Sequence, residues 1–199
     1  MAELKPGPRR STWLGAAVGV GLILLMLTCC FAAFVIPPNL IIWRRSRAKP
    51  SEAQAHLKAA FAAEKSYFSE MDRYEESVEL IGFDPPPGNR YRYFFSKTGD
   101  SRFAGAPADG GLHTGILADE KKYPGVNRAL PRGAIPPGLL NTVGIDGGCP
   151  SCDITIVAIG NTDFDSTVDV WSVSTNNRII DGGIVKAGTP FQHVNDDQD

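Results

Sequence analysis

Cys149-Pro150-Ser151-Cys152 sets two thiols three positions apart, a spacing that serves thiol–disulfide exchange and short structural disulfides alike. An exchange enzyme places its first cysteine at a helix N-terminus, where the dipole lowers the thiol pKa. Here Cys152 runs directly into Asp153-Ile154-Thr155-Ile156-Val157-Ala158-Ile159-Gly160, an apolar run bounded by turn residues that reads as a strand. The expectation is a structural disulfide between Cys149 and Cys152, tying a long loop to that strand in an oxidising compartment. A redox-active pair stays open as the alternative. Zinc needs two more ligands: Cys29 and Cys30 sit in an apolar run, and His113 or His193 would serve only by coincidence.

Asn161-Thr162-Asp163-Phe164-Asp165-Ser166-Thr167-Val168-Asp169 puts oxygen-bearing side chains at alternate positions, as calcium loops do. Ser166 stands where such a loop wants glycine, and Ser172 where it wants a bidentate glutamate. The expectation is an acidic turn and no cofactor, with calcium on Asp163, Asp165 and Asp169 as the alternative. His56, His113 and His193 are dispersed, with no nucleophile beside any of them. Nucleophile-elbow, Walker-type and dinucleotide motifs do not occur, and Glu75-Glu76-Ser77-Val78-Glu79 reads as a solvated surface. Catalysis has no candidate constellation, so an enzyme is not expected.

The elements that carry these residues begin with Trp13 to Ile36, 24 residues without a charge. As a helix they span about 36 Å, enough for a hydrocarbon core of about 30 Å with some tilt. The run is longer than a signal-peptide core, and no cleavage pattern follows it. An uncleaved single membrane span over 13–36 is the expectation, behind a basic tip at 1–12. Gly15 and Gly19 make a small-xxx-small pair, and with Gly21 they would let another helix approach closely. Residues 1–50 carry seven Lys/Arg against one Glu, and residues 51–199 carry thirteen against twenty-one Asp/Glu. The whole-chain formal charge of -2 excludes a basic nucleic-acid binder. Positive charges flank the span on both sides with a margin of one, which does not orient it.

Pro37 and Pro38 predict a kink, so 37–50 reads as a kinked basic linker with Trp43 as an interfacial anchor. Residues 51–74 are rich in helix formers, with Leu57, Phe61, Phe68 and Met71 on one face and Ala60, Tyr67 and Tyr74 widening it. Lys58, Glu64, Lys65 and Glu70 fall on the polar side. Strands are expected at 90–96, 153–160, 167–174 and 178–185, the last turned back through Asn176-Asn177 as hairpin partner of the third. Residues 99–150, rich in Gly and Pro and without a sustained period, read as a long loop. The fold class is α+β: an N-terminal helix with an amphipathic extension packed on a small antiparallel sheet formed by the body 51–199.

This order of parts resembles the type IV pilins and the pseudopilins of type II secretion. The resemblance rests on Ile36-Pro37-Pro38-Asn39-Leu40, Ser51-Glu52-Ala53, Leu57-Lys58 and Ala63-Glu64-Lys65-Ser66-Tyr67-Phe68. It continues through Gly82-Phe83, Gly88-Asn89-Arg90-Tyr91-Arg92-Tyr93, Gly160-Asn161 and Asp169-Val170-Trp171-Ser172-Val173, and closes with Gly188-Thr189-Pro190 and Val194-Asn195-Asp196. Together these cover most of 36–96 and 154–196, in the same order as in pilins of gliding and metal-reducing bacteria.

The resemblance implies a membrane-anchored structural or accessory subunit of a type IV pilus or type II secretion-like system. It implies partners that are other pilins or assembly proteins, a cytoplasmic amino terminus, and a body in the periplasm or at the cell surface. Family members carry a leader ending in glycine followed by Phe-Thr-Leu-Ile-Glu, whose glutamate sets the register between subunits. Leu14-Gly15-Ala16-Ala17-Val18-Gly19-Val20-Gly21 stands in that place, and the span has no acidic residue. The expectation is a pilin-like chain that keeps the fold without a recognisable leader-peptidase motif. A membrane-tethered periplasmic sensor or ligand-binding module is the alternative.

Overall fold

The computed structural model describes residues 10–106, 110–123, 131–161 and 167–195, with the side chains of 10–18 and 31–50 left aside. Helix α1 runs over Arg10–Met71, through the residues expected to form a kinked linker. Pro37, Pro38 and Pro50 each remove an amide donor and crowd the preceding turn, yet α1 is continuous through them. The chain divides into two compact units, 1–47 and 48–199.

The second unit is built on one sheet. Its strands are β1 (Arg92–Phe94), β2 (Arg102–Phe103), β3 (Gly115–Leu117), β4 (Gly144–Asp146), β5 (Asp153–Gly160), β6 (Asp169–Ser174) and β9 (Phe191–Val194). Their order is β2-β3-β1-β5-β6-β9, with β4 also paired to β5. Every pairing is antiparallel except β2 with β3. Central β5 is therefore shared: β6 covers one edge, while β1 takes residues 157–159 of the other edge and β4 takes 153–155.

Strand alternation splits the buried side chains into two cores. Tyr91, Tyr93, Phe95, Ile154, Ile156, Ala158, Trp171 and Val173 pack with Ala53, Leu57 and Ala60 of α1. Phe94, Val157, Ile159 and Val170 point the other way, against Ile135, Leu139 and Val143. Those last three come from the segment expected to be a long loop. It forms a short 3-10 turn at Arg132–Ala134 and helix α2 at Pro137–Leu140, with proline at the first helical position where its missing N–H costs nothing. Arg132 pins this layer by donating to the carbonyls of Ser96 (3.1 Å) and Gly99 (2.8 Å), its guanidinium over the Phe94 ring.

Two expectations about pairing and phase are corrected. Arg178–Ile180 (β7) does not return along β6; it pairs with Gly183–Val185 (β8) as a separate two-stranded sheet. The turn is Asp181-Gly182, both at positive φ (51° and 78°), the primed geometry that suits a two-residue hairpin. β9 occupies the edge of β6 instead. On α1 the fully buried stripe is Ala53, Leu57, Ala60 and Glu64, so Glu64 belongs to the packed face, while Met71 is exposed.

Candidate functional site

Cys149 and Cys152 are joined, with Cα atoms 4.5 Å apart. The bridge lies in the turn between β4 and β5, whose ends Asp146 and Asp153 are paired. No helix begins at Cys149, so the dipole that would activate a thiol is missing and the bridge acts as a hairpin staple.

Asp169 is a buried strand residue. Its Oδ2 accepts 2.7 Å from the Tyr91 hydroxyl and its Oδ1 accepts 2.9 Å from Gln192 Nε2. Asp163 and Asp165 lie outside the described residues. Among the described residues no group of three His, Cys, Asp or Glu side chains is placed to hold a metal. His56 bonds Tyr93 through Nδ1 (2.7 Å), His113 faces Glu79 (3.0 Å), and His193 faces Ser172 (2.7 Å); the three do not converge.

The stretch expected to be a solvated acidic surface is instead a clamp. Glu75 Oε1 accepts the amides of Glu76 (3.1 Å) and Ser77 (3.3 Å), and Glu76 Oε1 accepts the amide of Ile145 in β4 (3.1 Å). Glu79 takes the Arg102 guanidinium at 2.8 Å, the His113 amide at 2.8 Å and the Ser77 hydroxyl at 3.0 Å. Burial alone would raise the Glu79 pKa, but the hydrogen bonds from His113 and Ser77 outweigh it and bring it to about 2. Glu64 has the opposite environment: burial, helped by the charges of Glu75 and Glu76, pushes its carboxyl up to about 8 against the single amide bond from Glu75 (3.3 Å). The stripe Ala53, Leu57, Ala60, Glu64 steps by four, three and four, so helical spacing alone carried the signal for Glu64. Nothing local marks Glu79 as a clamp: Ser77 is a neighbour in sequence, but Arg102 and His113 come from two other segments.

The remaining candidate surface is on the first unit. Val20 and Leu22, Ile23, Leu24, Leu25, Met26 and Leu27 of α1 are each more than half exposed. At 100° per residue they sweep the whole circumference of the helix. A Cβ built on Gly19 or Gly21 meets nothing within 4 Å, so nothing among the described residues requires glycine there. Gly15 falls among residues whose side-chain surroundings lie outside the described set. Among the described residues no helix is long and apolar enough to cross a membrane; within the run 13–36 the described side chains are those of 19–30.

A family model for type IV pilin PilA matches residues 44–169 of this fold. The chain belongs to the type IV pilin PilA family. The type IV major pilin protein PilA of Myxococcus xanthus is 34% identical to it over 201 residues, covering 88% of each chain. Membership makes this pilin a structural subunit.

The pilin motifs of the head converge on one point. Asn89 Nδ2 donates to the carbonyls of Tyr91 (2.8 Å) and Leu117 (2.9 Å), and the Arg90 amide donates to Glu52 Oε1 of α1 (2.6 Å). The Tyr91 ring then lies across Gly160, where an added Cβ would come within 2.7 Å of it. Glycine at 160 is a space requirement, and the Tyr91 hydroxyl reaches Asp169 because that space is free.

Proposed function

We propose that this pilin is anchored in the bacterial inner membrane through residues 13–36, with its head on the periplasmic side, and acts by contact with other pilins or with assembly proteins of a pilus or secretion machine. The observation that carries this reading is the exposed apolar belt at Val20–Leu27, which surrounds the helix rather than forming a stripe. A helix apolar on every side needs hydrocarbon or other helices around it. At about 25 cal/mol per Å² of apolar surface, leaving that belt in water is strongly unfavourable. Gly15, Gly19 and Gly21 are the positions at which a neighbouring helix approaches most closely.

The segment has no carboxylate between Trp13 and Ile36, so register between neighbouring subunits comes from packing and not from an ion pair buried in lipid. The uncharged run continues on both sides of the described belt, which gives it the length a span requires.

The test is the size and location of the protein in membranes and in sheared surface filaments, with external protease applied to spheroplasts. Membrane retention and a protease-accessible head are the expected results. Leu24→Arg, which places a charge in the belt, is expected to release the protein from membranes. A wild-type chain recovered in the soluble fraction, or a head shielded from external protease, overturns the reading. A shortened form in filaments identifies an assembled subunit, and an intact chain confined to membranes identifies an accessory.

A further inference from the structure

The β7–β8 hairpin and β9 meet the α2 segment around a cavity of about 430 Å³, lined by Pro136, Leu139, Thr142, Arg178, Ile180 and His193 among others. That size is within the range of small-molecule sites, about 300–1,000 Å³. Arg178 is the cation in its wall. Its Nη1 donates 2.7 Å to Ser172 Oγ, and Ser172 Oγ lies 2.7 Å from His193 Nε2. Burial and the neighbouring guanidinium hold His193 neutral, its pKa lowered to about 4. A Ser172 hydroxyl that accepts from Arg178 Nη1 and donates to Nε2 pairs those three atoms.

The other two guanidinium nitrogens, Nε and Nη2, are buried and find no acceptor among the described residues. They are the two donors of one edge of the planar group, the edge that takes a carboxylate through two parallel hydrogen bonds. A buried cationic edge without a partner is costly. Both nitrogens are shielded from bulk water, so a ligand entering from the cavity displaces side chains to reach them. The lining that includes Arg178 also carries the hydrocarbon of Pro136, Leu139 and Ile180, with Thr142 and His193 as its other polar side chains.

We propose that this cavity binds an organic carboxylate with a short apolar body, the carboxylate seated on Nε and Nη2 of Arg178 and the body against Pro136, Leu139 and Ile180. The carboxylate comes either from a free organic acid or from a side chain of a second copy of this chain.

The experiment is calorimetric titration of the purified full-length chain in detergent with hexanoate, using hexanol and inorganic phosphate at matched ionic strength as controls. Saturable hexanoate binding is expected, with each control weaker by about tenfold or more. Arg178→Lys keeps the charge without the fork and is expected to weaken binding by about tenfold or more, as is Arg178→Gln. Ile180→Trp fills the cavity and removes binding by an independent route, which keeps the test decisive if an Arg178 variant misfolds. Sedimentation of the same samples assigns the source. Binding at unchanged sedimentation marks a free acid, and dissociation of a self-associated form marks a second copy. Absence of saturable heat, equal binding by Arg178→Gln, or phosphate binding as tight as hexanoate overturns the proposal.

Discussion

The Tyr91 hydroxyl donates a 2.7 Å hydrogen bond to Asp169 Oδ2, joining the strand entry after the α1 turn to the first residue of β6 across 78 positions of sequence. Both side chains are buried, and Gln192 of β9 holds the second carboxyl oxygen. One carboxyl thus ties the residue before β1 to β6 and β9, over the backbone of Gly160 in β5.

Removing the Tyr91 hydroxyl leaves a buried carboxyl oxygen without this donor. Tyr91→Phe is expected to cost about 1–3 kcal/mol in denaturant unfolding of the head. Gly160→Ala forces the ring aside and is expected to cost a similar amount, about 1–3 kcal/mol. The double variant should cost less than the sum, because both act on the same ring; full additivity would show that Gly160 does not seat Tyr91.

The buried Glu64 carboxyl sets an alkaline limb of stability. Its pKa is raised from 4.5 to about 8, so the folded state binds more protons than the unfolded state between those values. Its favourable contribution is fully present below 4.5 and is lost as pH rises through about 8. Melting temperature should fall between pH 5 and pH 9 (on the order of one proton's linkage), and Glu64→Gln should flatten that fall. An unchanged slope in the variant would assign the alkaline limb to another group.

Glu79 has the opposite sign. Its pKa lies at about 2, below the unfolded 4.5, so its contribution is present above 4.5 and is lost as pH falls through about 2. Glu79→Gln is expected to lower stability at neutral pH and to weaken the acid limb, measured by urea unfolding at a series of acidic pH values. It also removes the ion pair with Arg102, so Arg102→Gln should be less damaging in the Glu79→Gln background than in the wild type.

The Cys149–Cys152 bridge closes a short loop, and the chain-entropy relation gives it about 2 kcal/mol. Thiol titration of the unreduced fragment 51–199 should find no free thiol, and reductant should expose both cysteines with a modest loss of melting temperature. Insulin reduction by this fragment at rates like those of an exchange enzyme would return the bridge to redox chemistry.

Calcium removal is expected to leave the melting temperature unchanged. Asp169 already gives one oxygen to Tyr91 and the other to Gln192, which leaves it poorly placed as a loop ligand. A rise in melting temperature on adding calcium, abolished by Asp163→Asn or Asp165→Asn, would establish a site in the segment 161–169.

Periodicity and punctuation in the chain were enough to show the uncharged run at 13–36, the helix that follows it, the β5 and β6 strands and the paired cysteines, because each is written in consecutive or regularly spaced residues. The pilin kinship was legible for the same reason, as short motifs in a kept order. Tertiary structure alone decided what those motifs do. Gly160 is glycine because Tyr91 crosses it, Glu79 is a clamp because Arg102 and His113 arrive there, and residues 132–143 are a second layer because Phe94, Val157 and Ile159 need cover. Strand β6 pairs with β9 and not β7, while Asp181-Gly182 turns β7 back onto β8. Such pairings depend on which distant segments fold back to the same place, and local spacing in the chain does not encode that distance.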